Sequence, residues 1–114
     1  MSEPSSSGRL LTDDVFGIRL DHTPDERVVH GSPTTAVHTL GTVGGAEVGV
    51  WEMTEGAVHD TEVDEVFVVL AGRGRLDFAD GESIDLSPGV TVRLTAGERT
   101  TWTVTSTLRK VWVA

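Results

Sequence analysis

The sequence contains no cysteine. That excludes a disulfide scaffold, a thiolate nucleophile and cysteine-ligated zinc. It also fits a reducing compartment, and the cytoplasm is the expected location. No apolar run approaches the ~18 residues that a membrane span needs. Lysine occurs once, at Lys110, and the other basic residues are arginines without clustering; 18 acidic residues bring the formal net charge to −9. Binding to a phosphate backbone needs a basic patch, so nucleic acids and anionic membranes are not expected partners. No internal repeat is present. No segment carries the ~10 residues of 3.6-residue periodicity that would make a helix, and no Gly-x-Ser-x-Gly elbow supports a nucleophilic hydrolase.

What is present reads as β structure. A chain of 114 residues has room for one domain. The Ser-rich residues 1–8 lack a hydrophobic signal region and are expected as a disordered leader, leaving residues 9–114 as the domain. Turn signals fall at Gly44-Gly45, Glu55-Gly56, Gly72-Arg73-Gly74, Asp80-Gly81, Ser87-Pro88-Gly89 and Ala96-Gly97, and short strands between such turns mark a sandwich or barrel. Strands are expected near residues 35–42, 46–53, 65–71, 75–79, 82–86, 91–94, 100–105 and 108–113, with 10–20 as a further candidate. Thr23-Pro24-Asp25-Glu26 could open a short helical turn.

Alternation assigns faces. Glu65, Phe67 and Val69 share one face, and Val66, Val68 and Leu70 the other, so this strand is apolar on both sides. A one-sided sheet should alternate; a second copy of the chain is expected to cover the Val66 face, giving a homodimer. Thr100, Trp102 and Val104 likewise share a face.

Residues 51–113 resemble a cupin. The first cupin motif runs Gly, His-x-His, Glu, Gly. Here Gly56 leads, His59 takes the first His position, Thr61 the second, Glu65 the Glu position, and Gly72 follows. In the second motif Gly89 and Gly97 match, while Thr95, Thr100 and Val104 stand at the Pro, His and Asn positions. The chain looks most like the single-domain group related to ureidoglycine aminohydrolases and ethanolamine-utilisation cupins. The shared phrases are Val50-Trp51-Glu52, Asp64-Glu65-Val66, Leu70-Ala71-Gly72, Leu86-Ser87-Pro88-Gly89, Thr101-Trp102-Thr103-Val104 and Leu108-Arg109-Lys110-Val111. The resemblance implies an all-β antiparallel jelly-roll barrel with its motif region over 46–113. It also implies a site inside the barrel for a divalent transition metal, of which His59 and Glu65 are the two ligands retained. Imidazole and carboxylate suit iron, manganese, zinc or nickel, and Asp60 or Glu62 could assist.

Two of the four ligand positions are threonine. The expected function is therefore small-molecule binding without a firmly held metal, in a pocket lined by Glu65, Phe67, Thr100 and Trp102. Trp102 would serve there as core filler or pocket wall. The alternatives are a metal-assisted aminohydrolase, isomerase or dioxygenase using His59 and Glu65, and a structural or regulatory dimer. His22, His30 and His38 show no ligand spacing and read as surface or packing residues. Glu52 and Lys110 sit within apolar segments; each faces either solvent or the cavity. A buried lysine needs a carboxylate, so Lys110 is expected to point inward to Glu65 or Glu52. Leu108 and Trp112 would then lie on its face, and Arg109 outside in water.

Overall fold

The computed structural model describes residues 7–114. The expected leader, residues 1–8, lies outside these except for Ser7 and Gly8. Nine strands are present: β1 (Thr23–Pro24), β2 (Val28–His30), β3 (Thr34–Val43), β4 (Ala46–Met53), β5 (Gly56–Thr61), β6 (Glu65–Phe78), β7 (Ser83–Leu86), β8 (Thr91–Leu94) and β9 (Arg99–Val113). All pairs are antiparallel, in the order β1-β3-β4-β9-β5-β2, with β6 pairing β7, β8 and β9. The described residues contain no helix, and the curled sheet is a cupin-type jelly roll.

The turns form where Gly and Pro mark them. At Asp80-Gly81, Gly81 takes φ 99° and donates its N–H to the Phe78 carbonyl, while the Asp80 carboxylate accepts from the Glu82 N–H. Gly-Arg-Gly at 72–74 behaves differently. The expected strands 65–71 and 75–79 are one strand, β6, which bends there through register shifts against β9. Likewise 100–105 and 108–113 are one strand, β9. Gly72 has φ 94°, and a Cβ there would stand 2.1 Å from the Thr107 carbonyl oxygen. The glycine thus lets two long strands cross closely at a bend. β5 was not anticipated, and Thr23-Pro24 pairs with β3 instead of opening a helix.

The inward faces of β4, β5, β6, β8 and β9 form the core. Met53, Val58, Phe67, Val69, Leu76, Leu94, Trp102, Val104 and Leu108 are buried together. Trp112 packs against them, closely over Gly49, its cross-strand partner. On the opposite side of β6, Val66 is 44% exposed, and Val68 and Leu70 are half-buried within the chain.

The outer face of β4 and β9 carries a buried polar group, and it corrects the expectation that Arg109 lies in water. Residues 10–20 form no strand. They lie near this face as an irregular strap, and the Arg109 guanidinium binds it: Nη1 donates to the Val15 carbonyl (3.1 Å) and Nη2 to the Ile18 carbonyl (2.7 Å). Nε donates to Glu52, directly opposite in register, at 2.8 Å. Arg109 is 8% exposed. A rigid five-donor fork suits one carboxylate and two carbonyls at once. We expect Arg109→Met to strand Glu52 and free the strap. In urea denaturation it should cost about 3 kcal/mol, and amides around Val15–Ile18 should exchange through local opening before global unfolding.

A buried lysine and two inward carboxylates

Lys110 points into the sheet. It lies opposite Trp51 of β4 and Val69 of β6 in register, and it is 5% exposed. Its Nζ donates to Glu65 Oε2 at 2.6 Å. Three rings surround the ammonium, with centroids 4.9 Å (Trp51), 4.4 Å (Phe67) and 4.6 Å (Trp102) away. Trp51 and Phe67 each pack tilted against Trp102, with centroids 5.2 and 5.4 Å apart. The negative ring faces replace some of the hydration that the cation loses. Burial lowers the Lys110 pKa; Glu65 acts against that, and Glu62 and Asp60 more weakly.

Glu62 is the second inward carboxylate. It follows β5, 6% exposed, and its Oε2 accepts from the Thr100 hydroxyl (2.5 Å) and from the Trp102 indole N–H (2.9 Å). Burial pushes its pKa up; the two hydrogen bonds oppose this and Asp60 adds to it. One indole therefore serves both acids' surroundings: its N–H holds Glu62 and its ring face meets Lys110. Backbone bonds lock the loop, with Glu62 N–H donating to the Glu98 carbonyl and Gly97 N–H to the Glu62 carbonyl.

The residues expected to hold a metal do not converge. Within β5, Val58 is buried in the core, so alternation turns His59 outward. There it is exposed, its Nδ1 3.1 Å from the Thr101 hydroxyl across the strand pair. Asp60, in contrast, faces the side of Thr100. Its carboxylate is held by Arg27 at 3.2 Å and by the Thr61 N–H. Glu65 is occupied by an ammonium, and Thr61 and Thr100 offer hydroxyls only. Among the described residues no group of three or more His, Cys, Asp or Glu is placed to hold a metal ion. The donor set does not fit the metal that the resemblance implies.

Glu52 also departs from its expected place in the pocket. It sits on the opposite face of β4 from Trp51, bound to Arg109 and to His22 Nε2 at 2.7 Å. His22 Nδ1 lies 2.9 Å from the Thr34 hydroxyl, so the histidine tethers the end of the strap. Burial would raise the Glu52 pKa, but the bonds and charges of Arg109 and His22 together lower it. Phe67 and Trp102, expected as pocket walls, are packed around Lys110. Open space begins beyond Thr100, in a cleft of about 300 Å³ bounded by Arg27, His59, Asp60, Thr61, Arg99 and Thr100. Glu62 is the site residue that sequence reasoning gave too small a part. The signal for it was the two-residue step Val58, Asp60, continuing to Glu62, opposite Trp102 and Thr100.

Residues 40–112 match the EutQ-like cupin domain, and the chain belongs to that family. A search among curated proteins finds no match. Among solved structures, the EutQ protein of Clostridium difficile is similar at 22% identity and TM-score 0.61, over 71% of this chain and 61% of that one. A Rhizobium leguminosarum protein of unknown function is 27% identical at TM-score 0.63, over 69% of this chain and 78% of that one. A Pseudomonas syringae protein of unknown function reaches TM-score 0.73 at 23% identity, over 88% of this chain but 45% of that one. The match thus spans less than two thirds of the EutQ and Pseudomonas chains.

Two outcomes follow from this geometry. Lys110→Met leaves the Glu65 carboxylate buried without a cation and should cost on the order of 3–5 kcal/mol; adding Glu65→Gln should recover part of that, read by urea denaturation of both variants. Glu62 has a raised folded pKa, so its ionisation opposes folding. Its contribution is favourable below the unfolded value of 4.5 and is lost as pH rises through the higher folded value. Glu62→Gln keeps an acceptor for Thr100 and Trp102 but cannot ionise. Measured against wild type, the variant should gain relative stability as pH rises through that window.

Proposed function

We propose that this cupin domain binds a small organic molecule at the cleft between Arg27, Asp60, Arg99 and Thr100, behind which Thr100 bonds Glu62, and does so without a tightly held metal. The observation that carries this reading is the Lys110–Glu65 pair: a side-chain ammonium, 2.6 Å from Glu65 and enclosed by three rings, supplies positive charge to the carboxylate that the resemblance assigns to a metal. A site with one fixed cation, one paired carboxylate and one hydrogen-bonded acid has the few convergent polar groups that specific small-molecule sites use. The metal-assisted alternative through His59 and Glu65 is disfavoured by the outward turn of His59. Cytoplasmic location and a homodimer belong to the same proposal. The dimer rests on the apolar row in which Val66 and Val113 pair across β6 and β9, exposed 44% and 45%, with a second copy as the occupant.

Elemental analysis of protein purified without chelator should find far less than one transition metal per chain, and chelation should leave the melting temperature unchanged. Titration with a panel of small carboxylates, oxo acids and amines should change tryptophan emission, and Trp102→Phe should remove that response while Trp51 and Trp112 remain. Stoichiometric metal whose removal unfolds the protein would overturn the reading.

A further inference from the structure

The outer face of the sheet is covered on one half only. Arg109, Val111 and Val113 of β9 share that face with their β4 partners Glu52, Val50 and Val48. Val113 continues the row to Val66 of β6, and Val66 to Arg93 of β8. On the β4 half the strap lies over the sheet, and Val50 and Ala36 are buried. On the β6 half Val66 and Val113 stay open to solvent, and Arg93 beside them is exposed. The strap itself presents an apolar side chain outward. Residues Asp14 to Gly17 make a tight turn, closed by the Gly17 N–H on the Asp14 carbonyl (3.3 Å) and carboxylate (3.1 Å). Phe16 stands in this turn, 65% exposed, between Val15 and Ile18, whose carbonyls Arg109 holds. A phenyl ring fixed in water forgoes hydrophobic free energy that a partner would restore. Because its turn is already held, docking would cost little further ordering.

We propose that Phe16 of each copy docks on the Val66–Val113 row of a second copy, so that the strap is the element that makes the dimer contact. This rests on the reading of that row as the dimer surface and names what covers it. The occupant is a second copy of this chain on grounds of symmetry, area and charge. Knob and row lie side by side on one face of the same chain, as a twofold contact requires: Phe16 meets the partner's row while the partner's Phe16 meets this one. Every contact is then made twice, which brings a small domain toward the ~1,000 Å² that a specific interface buries. The charges agree as well. Asp14 stands two residues from Phe16, and Arg93 stands beside Val66 in register. Neither enters an ion pair among the described residues. Seating Phe16 against Val66 brings these opposite charges together at the rim, between chains whose net charge of −9 otherwise keeps them apart. Arg109 is then a positioning residue for the interface, since it fixes the turn that carries Phe16.

Sedimentation of the intact chain over a concentration series tests this. Wild type should dimerise at micromolar concentration. Phe16→Ser and Val66→Glu should each raise the dimer Kd on the order of 30-fold and keep the circular dichroism of the folded sheet, because both side chains reach solvent in the single chain. The decisive sample is their equimolar mixture. A Val66→Glu copy keeps its Phe16 and a Phe16→Ser copy keeps its row, so the mixed dimer has one intact contact and each homodimer has none. The mixed dimer should therefore be tighter than either homodimer. A Phe16 that serves only its own chain gives no such preference, and a mixture no tighter than the homodimers overturns the proposal. Asp14→Asn, which keeps an acceptor for Gly17, and Arg93→Gln should each weaken the dimer about fourfold, and the double variant no further; additive losses would overturn the Asp14–Arg93 contact. If Val66→Glu splits the dimer while Phe16→Ser leaves its Kd unchanged, the strap contact is wrong and the row stands as the dimer surface. A wild type that stays monomeric up to about 100 μM ends both.

Discussion

The inner half of the domain depends on one ammonium held away from water. Removing a lysine charge from solvent is costly by itself, and no single contact offsets it. The compensation comes from three strands at once: Trp51 from β4, Phe67 and Glu65 from β6, and Trp102 from the far half of β9. Each must be in register for the charge to be tolerated. The pair therefore acts less as a source of net stability than as a condition on how the sheet curls, since an alternative packing would leave an unpaired charge in the core.

β9 carries this condition on both sides. Arg109 and Lys110 are neighbours, so they point to opposite faces, and each finds a glutamate there: Glu52 outside and Glu65 inside. Outside, the guanidinium is multidentate and binds backbone, as suits a clamp. Inside, the compact ammonium sits among three rings beside one carboxylate, as suits a point charge. Exchanging the two would place a fork where there is one acceptor and a point charge where there are three.

Much of this was legible in the residues. Gly and Pro punctuation located the turns at Asp80-Gly81 and Ser87-Pro88-Gly89. Period-two alternation grouped Phe67 with Val69, and Trp102 with Thr100 and Val104, the resemblance turned those faces inward, and the cost of burying a lone lysine pointed to Glu65 or Glu52, of which Glu65 is the partner. The failures share a cause. Gly72-Arg73-Gly74 carries the composition of a turn, yet composition does not distinguish a turn from a bend in a continuous strand; the distinction lies in the Thr107 carbonyl on a distant segment. His59 was assigned by motif spacing, which is blind to a one-residue change of face. Arg109 was placed in water because the strap that buries it has no periodicity to announce itself.

The strap clamp has a consequence for how the chain is made. The Arg109 bonds to Val15 and Ile18 span 94 and 91 residues, and Lys110 reaches back 45 residues to Glu65. On the ribosome, Val15 and Ile18 emerge long before the guanidinium that will satisfy their carbonyls exists. The strap must wait for its clamp, and β4 and β6, though each can pair with an earlier-made strand, lack their β9 neighbour until it arrives. Nascent chains of intermediate length expose apolar strand edges, and folding dominated by such distant pairings is slow. For this domain the vulnerable interval is translation itself, and it closes with the appearance of two adjacent basic residues.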